Sequence, residues 1–411
     1  MIVKKIAVVL LLLFAVSTFT ACKNDQGSKA GGVLIGIAMP ETHVQRWAKD
    51  GNALKMEAEK LGYRAEVQWG NADQATQNQQ IQSFLTQGAK ALVIGCINDG
   101  IGSVVTEAAR DGVTVIAYDR VIPNSDGYDY FITFNNYKVG VLQAQSIVDG
   151  LDLDNATAAN PKRITLFAGA PTDGNAFFFF DGAMSVLNTY IEKGALTVVG
   201  PYPKSSADID NFLRIATENW QTPIAKNRME NLLNNDARNI TLDAVLVPND
   251  TLARAIIEAC KADAKYRNKL PIVTGHDAEF DSIVSIKNGE QYSTVYKDTA
   301  MLSEAAILLA DRILKGQTLD IPGAILATGD LREIGNTGIK YVQTYLLDAI
   351  LVTKENINIP VDAGFYDEAQ TNQLTRIFHT DSAASAAQEG MDTRRAQFWR
   401  RRHITQYFYA S

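Results

Sequence analysis

From Val33 onward the sequence alternates short apolar runs with stretches of helical periodicity, and this alternation constrains the fold more than any other feature. Apolar runs of this kind are typical of strands buried on both faces of a parallel sheet. Intervening segments such as 74–86 have the spacing of amphipathic helices. The rhythm restarts after Val139, which predicts an α/β fold of two doubly wound lobes. The runs lie at 33–38, 65–69, 91–95, 113–118, 163–168, 196–199, 244–247 and 272–274.

The first 22 residues have the order of an export signal. Two lysines precede an almost purely apolar run over 6–16, which is shorter than the roughly 20 residues of a membrane span. The small residues up to Cys22 resemble a lipoprotein processing site, in which the cysteine is acylated, although Phe19 stands where leucine is more usual. We predict a lipoprotein signal peptide over 1–22 and a flexible tether over 23–32. A plain signal peptide with a chance cysteine is the alternative.

The composition is that of a globular chain, 46% hydrophobic and 21% charged, with a formal net charge of -7. This acidic balance argues against a surface for nucleic acid. The histidines and cysteines are scattered, without the C-x-x-C or H-E-x-x-H spacing of common metal sites. The sequence therefore predicts no metal, no cofactor and no nucleic-acid partner.

Ligands of open parallel sheets bind beyond the carboxyl ends of the strands, so the residues that follow the predicted strands are candidates for a site. They are rich in carboxylates, which accept hydrogen bonds, guanidinium groups, which donate, and amides, which do both. This set matches the hydroxyl groups of a sugar. Trp47 and Trp220 are candidates to cover the apolar face of a sugar ring. The strand-end residues are Gln45, Arg46, Trp47, Asn98, Asp99, Asp119, Arg120, Asp173, Asn175, Asn249, Asp250, His276 and Asp277.

Members of this set also have structural interpretations. Asp250 is interpreted as the cap of the helix that follows it. Trp220 suits the core of a lobe as well as a binding site. Asp119 and Arg120 also suit a surface ion pair, and Asn98 and Asn249 also suit ordinary turns.

Several long motifs resemble the bacterial periplasmic sugar-binding proteins for xylose and for multiple aldoses. The resemblance runs from about residue 33 to about residue 370, and it is specific because the motifs are long and keep their order. The matching stretches include 46–51 (RWAKDG), 115–120 (VIAYDR), 133–140 (TFNNYKVG), 174–184, 289–297 (GEQYSTVYK), 344–347 (TYLL) and 352–356 (VTKEN).

The resemblance implies a type I periplasmic binding protein fold, in which a three-strand hinge joins two lobes that hold a sugar between them. It implies an N-terminal lobe of 33–137 and 298–322 and a C-terminal lobe of 138–297 and 323–360. Asn136 and Lys297 are expected at hinge crossings. With Trp47 added from the strand ends, the predicted sugar contacts are Arg46, Trp47, Asn98, Asp119, Arg120, Asn136, Asn175, Trp220, Asn249, Asp277 and Lys297.

The implied function is an extracytoplasmic, lipid-anchored protein that captures a monosaccharide and delivers it to the permease subunits of an ABC importer. It is expected in the periplasm or on the outer surface of the cell membrane. A sensor that presents the sugar to a chemoreceptor or a histidine kinase needs the same cleft and is the alternative. A sugar-responsive repressor shares this two-lobe fold but would need a DNA-binding segment ahead of Val33. The sequence has the predicted export signal at that place instead. A glycosidase would need an acid/base pair, and Asp119 and Asp277 show no tuning partners in the sequence, so we predict that the protein is not an enzyme.

The chain departs from the family pattern at three positions near the predicted site. Asn135 stands where Asp is usual, His276 stands where Gln is usual, and Asp99 stands where Gly is more typical. The sequence therefore leaves the identity of the sugar open among xylose, glucose, galactose and arabinose. Because the implied topology puts Cys96 and Cys260 in different lobes, we expect both to be unpaired and structural.

The sequence continues beyond the point where the resembling family ends. Residues 371–411 carry basic clusters interleaved with aromatic residues, a mixture that suits a membrane surface or nucleic acid. We favour a poorly ordered extension without a dedicated role.

Overall fold

The structure is a computed structural model in which residues 32–385 are described. The predicted signal peptide, Cys22 with its predicted acylation, and residues 23–31 of the tether lie outside the described residues. The same holds for residues 386–411, which include the basic and aromatic clusters.

Within the described residues, strands and helices alternate along the chain as the apolar pattern predicts. The strands are β1 (Leu34–Met39), β2 (Arg64–Trp69), β3 (Ala91–Ile94), β4 (Thr114–Tyr118), β5 (Tyr130–Phe134), β6 (Lys162–Leu166), β7 (Leu196–Val198), β8 (Ala244–Leu246), β9 (Ile272–Val273), β10 (Ser293–Tyr296), β11 (Ala324–Leu326), β12 (Gln343–Leu347) and β13 (Ile350–Thr353). The α-helices are α1 (Gln45–Lys60), α2 (Gln74–Thr86), α3 (Gly102–Arg110), α4 (Asn136–Leu151), α5 (Gly174–Glu192), α6 (Ile209–Ile215), α7 (Thr222–Asn234), α8 (Asp250–Ala262), α9 (Phe280–Lys287), α10 (Thr299–Leu314), α11 (Ile359–Asp362) and α12 (Glu368–Ser385).

The first lobe is built on a seven-stranded sheet with the order β11-β12-β5-β4-β3-β1-β2. Its strands run parallel except β11, which pairs antiparallel with β12. All six residues of β1 are buried, which explains its continuous apolar run. Helices α1 and α10 pack together over this sheet.

The second lobe is built on the parallel strands β7-β6-β8-β9. Backbone hydrogen bonds extend this sheet, because Tyr292 N–H donates to Val273 O at 3.1 Å and Val295 N–H donates to Gly275 O at 3.1 Å. Strand β13 then pairs antiparallel with β10 at the edge. The predicted fold class, two doubly wound lobes of mainly parallel strands, is confirmed.

The chain crosses between the lobes three times: from β5 to α4, from β10 to α10, and from β12 to β13. Asn136 begins α4 and Lys297 follows β10, so both lie at crossings. One predicted boundary between the lobes differs from the one that the observed strand pairing gives. Residues 323–360 were expected in the second lobe, but β11 and β12 belong to the first sheet because β12 lies parallel to β5, Gln343 beside Tyr130. The chain returns to the second lobe only at β13.

The C-terminal extension was expected to be poorly ordered, but its start is helical. Helix α12 covers residues 368–385. Its Leu374 is fully buried in a cluster that includes Phe365 and Tyr366, and Phe378 packs against the same cluster one turn later. The apolar spacing of Leu374 and Phe378 gives the segment a face to bury, and this explains why it is a helix.

Cys96 and Cys260 are both free and buried, as predicted, with Cys96 in the first lobe and Cys260 on α8 of the second. Burial raises the pKa of each thiol to about 12, so neither is a reactive thiolate at neutral pH. None of the helices in residues 32–385 is long and apolar enough to cross a membrane.

Candidate functional site

The strand ends of the two lobes face each other across a cavity of about 310 Å³, a volume that includes its part open to solvent. The first lobe supplies residues from the start of α1 and from the end of β4. The second lobe supplies residues from the ends of β6, β8 and β9 and from the crossing after β10. The lining residues are Val44, Arg46, Trp47, Asp119, Arg120, Asp173, Asn175, Phe179, Trp220, Asn249, His276, Asp277 and Lys297.

Arg46 is the charged group that joins the lobes at the centre of the cavity. Its Nη1 lies 2.9 Å from Asp119 Oδ1 and 3.7 Å from Asp277 Oδ1, and its Nη2 lies 2.8 Å from Asp50 Oδ2. Burial alone would lower the pKa of Arg46, but these three carboxylates outweigh it and raise the pKa well above its ordinary value. The guanidinium is therefore a permanent cation held by carboxylates from both lobes.

Asp277 of the second lobe is held by two further groups. Lys297 Nζ lies 2.9 Å and His276 Nδ1 lies 3.1 Å from its Oδ1. Burial would raise the pKa of Asp277, but the neighbouring His276, Lys297 and Arg46 lower it well below its usual range. Burial likewise opposes ionisation of Asp119, and Arg46 and Lys297 reverse the effect and lower its pKa. Both carboxylates are thus ionised at neutral pH.

A second ion pair stands beside the first. Arg120 Nε lies 2.8 Å from Asp173 Oδ2, and Trp220 Nε1–H donates to the same oxygen at 3.2 Å. Arg120 comes from the first lobe and Asp173 from the second, so this contact also spans the cleft. The strand-end pattern includes Asp173 and His276, whereas the motif-based set of sugar contacts omits both.

The two tryptophans have different surroundings. The guanidinium carbons of Arg46 and Arg120 lie 4.7 Å and 5.0 Å from the centre of the Trp47 ring, which is 2% exposed. Trp47 therefore supports the two arginines. Trp220 packs so tightly on Gly169 that a Cβ there would lie 2.1 Å from the indole ring. Trp220 belongs to the buried core and also lines the cavity, so the core interpretation is confirmed and the contact with a sugar ring stays a prediction.

Left-handed backbone conformations occur at three residues that line the cavity and at Asn219, which borders the adjoining one. Asp119 has φ 62° and Asp277 has φ 97°, and in each case the residue follows a central strand of its lobe. Asn219 and Trp220 have φ 48° and 55°. Such conformations are unfavourable for residues other than glycine by about 1–3 kcal/mol each, and their clustering is typical of functional sites.

Asn136 lies behind the cavity wall and orients one of its members. Its Nδ2 donates to Asn175 Oδ1 at 2.7 Å, and Asn175 Nδ2 donates to the backbone oxygen of Asp119 at 2.8 Å. Asn136 thus links a hinge crossing to the lining residue Asn175 and, through it, to the first lobe.

Asn98 is not brought to the cavity. Its side chain accepts a hydrogen bond from Gly100 N–H at 2.9 Å and caps a short 3-10 turn, which is the turn role that its sequence also suits. Asp99 is exposed at the same turn. Neither residue lines the site, because the chain turns away after β3.

The cap of α8 is Asn249, and the prediction that Asp250 serves as this cap is wrong. Asn249 Oδ1 accepts from Leu252 N–H at 3.0 Å. Asp250 is fully buried, where it accepts from Glu279 N–H at 2.9 Å, Gln291 Nε2 at 2.7 Å and Thr294 Oγ1 at 2.8 Å. Asp250 therefore anchors the loop that carries Asp277.

Several buried polar atoms at the cavity lie close to a charged partner without the alignment of a hydrogen bond. Within residues 32–385 these atoms are Asp119 Oδ1, Arg120 Nε, Asp277 Oδ1 and His276 Nδ1, and His276 Nε2 also lacks a hydrogen-bond partner. The ion pairs hold the groups by charge, while their directional hydrogen-bonding capacity stays unused. A ligand rich in hydroxyl groups can supply those bonds.

A second cavity, also of about 310 Å³ with its open part, adjoins the first and shares Arg120 and Trp220 with it. On its wall His43 Nε2 lies 3.3 Å from the backbone oxygen of Asn219, a contact between the lobes. The hydrogen bond with Glu41 raises the pKa of His43 against the opposing effect of burial. The described residues hold no cluster of His, Cys, Asp and Glu that suits a metal ion.

Comparison with known proteins agrees with this geometry. The family model for the periplasmic binding protein domain matches residues 35–318. The multiple sugar-binding periplasmic receptor ChvE of Rhizobium radiobacter is 41% identical over 340 residues, which cover 82% of this chain and 91% of that protein. The D-xylose-binding periplasmic protein of Escherichia coli K12 is 33% identical, over 84% of this chain and 95% of its own length.

A solved structure also supports the similarity to sugar-binding proteins. An ABC transporter solute binding protein from Clostridium phytofermentans with bound β-D-glucose aligns with a TM-score of 0.73 and 34% identity. The alignment covers 82% of this chain and 99% of that protein.

Proposed function

This chain belongs to the periplasmic binding protein family, and we propose that it captures a neutral aldose between its two lobes and delivers it to an ABC importer. The observation that carries the proposal is the contact of Arg46 with Asp119 and Asp277, which come from opposite lobes. A ligand that bonds to these groups ties the two lobes together. Binding and closure are thereby coupled.

The charges of the cavity favour a neutral ligand. Three cations, Arg46, Arg120 and Lys297, face three carboxylates, Asp119, Asp173 and Asp277. Because the charges balance, an anionic or cationic ligand finds no net complement. A sugar hydroxyl both donates and accepts, and it suits the buried atoms that lack an aligned partner in residues 32–385.

The aromatic side chains favour a ring with an apolar face. Trp220 and Phe179 line the cavity and are 6% and 4% exposed. We propose that they bracket the sugar ring, with direct polar contacts from Arg46, Asp119, Arg120, Asn175, Asn249, Asp277 and Lys297. Asn136 acts through Asn175, and Trp47 acts through the two arginines.

The sugars named for similar proteins support a small aldose as the ligand. The similar proteins are described as binding multiple sugars, D-xylose and β-D-glucose. We propose xylose, glucose, galactose or arabinose for this chain, released unchanged by a binding protein that has no catalytic step. We also propose an extracytoplasmic location, with Cys22 as the acylated anchor.

Isothermal titration calorimetry of the chain from Lys23 onward, against D-xylose, L-arabinose, D-glucose and D-galactose, tests the proposal. We expect saturable heat with at least one sugar, and a smaller radius of gyration by X-ray scattering in its presence. An absence of heat with every pentose and hexose would overturn the sugar proposal. Recovery of a chemically altered sugar after incubation would overturn the non-catalytic part.

Delivery needs a separate test, because a sensor would bind sugar equally well. Uptake of the radiolabelled sugar is measured in cells that lack the protein and in cells that regain it. We expect uptake to depend on the protein. Unchanged uptake together with a lost transcriptional or chemotactic response would favour the sensor.

A further inference from the structure

His276 is the one cavity residue of the described chain whose side chain has two buried polar atoms and no aligned hydrogen bond to either. It is 3% exposed, and neither Nδ1 nor Nε2 has such a partner within residues 32–385. A buried polar group without a partner is unfavourable, and the group is retained where something else satisfies it. The ring lines the cavity, so a ligand can reach it.

The position of the ring is fixed by its neighbours. The ring centre lies 4.5 Å from that of Phe179 and 6.4 Å from that of Trp220. The backbone oxygen of His276 accepts from Asp250 N–H at 3.0 Å. The imidazole is therefore held on the same wall as the two aromatic rings proposed to bracket the sugar.

The imidazole is neutral in this environment. Burial lowers the pKa of His276, and it outweighs the opposite effect of Asp277, whose Oδ1 lies 3.1 Å from Nδ1. A neutral imidazole carries one N–H donor and one nitrogen acceptor. It differs in this respect from the carboxylates and cations around it, which only accept or only donate.

We propose that His276 contacts a ligand hydroxyl directly and sets which stereoisomer of an aldose the cavity accepts. The inference rests on the proposed sugar-binding function and adds a residue that the motif-based set of contacts lacks. A fixed ring that offers one donor and one acceptor reaches a hydroxyl in one orientation. The epimer with that hydroxyl inverted leaves the ring nitrogens unpaired, so the site discriminates against it.

The test compares two variants that separate hydrogen bonding from shape. His276→Gln keeps a donor and an acceptor but moves them, and His276→Phe keeps the ring and removes both. Dissociation constants are measured by calorimetry for pairs of epimers, D-glucose with D-galactose and D-xylose with L-arabinose. Tyr266→Phe is the control, because Tyr266 accepts from Leu242 N–H at 2.9 Å in the same lobe and does not line the cavity.

We expect His276→Phe to reduce the wild-type preference between epimers by about tenfold, the equivalent of one buried hydrogen bond. His276→Gln should bind with a different order of preference. Tyr266→Phe should lower the melting temperature and leave the preference unchanged. Equal preferences in wild type and both His276 variants would overturn the inference, while the sugar-binding proposal stands if the wild type still binds.

A measurement on the unmodified protein keeps the inference testable if both variants fail to fold. With ¹⁵N-labelled histidine, the sugar should slow the exchange of one imidazole N–H proton and shift its resonance. Glycerol serves as the control solute. Histidine signals that do not respond to a saturating sugar would overturn the contact.

Discussion

Arg46 Nη1 lies 3.7 Å from Asp277 Oδ1, so a guanidinium at the start of α1 in the first lobe reaches a carboxylate after β9 in the second. The same nitrogen lies 2.9 Å from Asp119, within its own lobe. All three side chains are buried. The lobes are therefore joined through charge at the place where the ligand is proposed to sit.

Arg46→Met should weaken sugar binding strongly, because it leaves Asp119 and Asp277 buried beside each other without their shared cation. The ligand also loses a charge-assisted hydrogen bond, worth about 1.5–3 kcal/mol, so affinity should fall by about 10- to 150-fold. Calorimetry measures this loss. Arg254→Met is the matched control, since Arg254 pairs with Glu279 at 2.6 Å and does not line the cavity. Binding within a few-fold of wild type in Arg46→Met would contradict the role of the bridge.

Trp220→Ala should weaken sugar binding by roughly 1–3 kcal/mol if the indole covers the sugar ring. Trp69→Phe serves as control, because Trp69 is half-buried and its Nε1–H donates to the backbone oxygen of Trp47 at 3.2 Å outside the cavity. Quenching of tryptophan fluorescence by the sugar should disappear in Trp220→Ala. Unchanged affinity would show that Trp220 serves only as a core residue and does not contact the sugar.

Gly169→Ala tests the placement of the same ring without touching it. The added Cβ would lie 2.1 Å from the Trp220 ring, so the indole must move away from its position. We expect affinity to fall about as far as in Trp220→Ala. Gly102→Ala is the comparison, because its Cβ would meet nothing closer than Asn124 O at 3.7 Å and its backbone is helical. Equal affinities for the two alanine variants would show that the contact with Gly169 does not position Trp220.

Most strands of the two lobes could be predicted from sequence because they are buried on both faces of their sheets. The apolar runs at 91–95 and 244–247 became β3 and β8 within one residue of their predicted limits. The strands beyond the crossings, such as β12, could not be placed in this way. Their assignment depends on which sheet the chain returns to, and that is decided by pairing between distant residues such as Gln343 and Tyr130.

The site shows the same division. Strand-end positions such as Asp119 and Asp277 follow from topology, and the sequence predicted them. Asn98 occupies an equivalent position, yet its side chain closes a turn. The role of His276 depends on which partners its ring nitrogens find after folding. No spacing in the sequence encodes that information.

The pH dependence of stability should contain a contribution from Asp277. Burial opposes its ionisation, but His276, Lys297 and Arg46 lower its folded pKa well below the unfolded value of about 3.9. A lowered carboxyl pKa stabilises the fold fully above the unfolded pKa, and the contribution is lost as the pH falls through the folded pKa. Urea unfolding of wild type and Asp277→Asn should therefore differ most at pH 5–7, and the difference should shrink below about pH 4. A constant difference over this range would contradict the assignment.

A contact between Lys49 and Phe365 should add to the coupling of the lobes. Lys49 Nζ lies 3.3 Å from the centre of the Phe365 ring and donates to the backbone oxygen of the same residue. Lys49 is on α1 of the first lobe, and Phe365 packs against Tyr296 and Tyr366 of the second. Burial lowers the pKa of Lys49 to about 8, so the ammonium is mainly charged at pH 7.

A double-mutant cycle with Lys49→Met and Phe365→Leu measures this contact. We expect a coupling energy of about 0.5–2 kcal/mol in the free energy of unfolding, the range of a partly desolvated cation–π pair. Lys55→Met with Phe365→Leu is the control cycle, because Lys55 is on the same helix and pairs with Glu59. Its coupling should be close to zero. Because the contact joins the lobes, Lys49→Met should also shift X-ray scattering of the sugar-free protein toward a larger radius of gyration, and an unchanged radius would limit the contact to local stability.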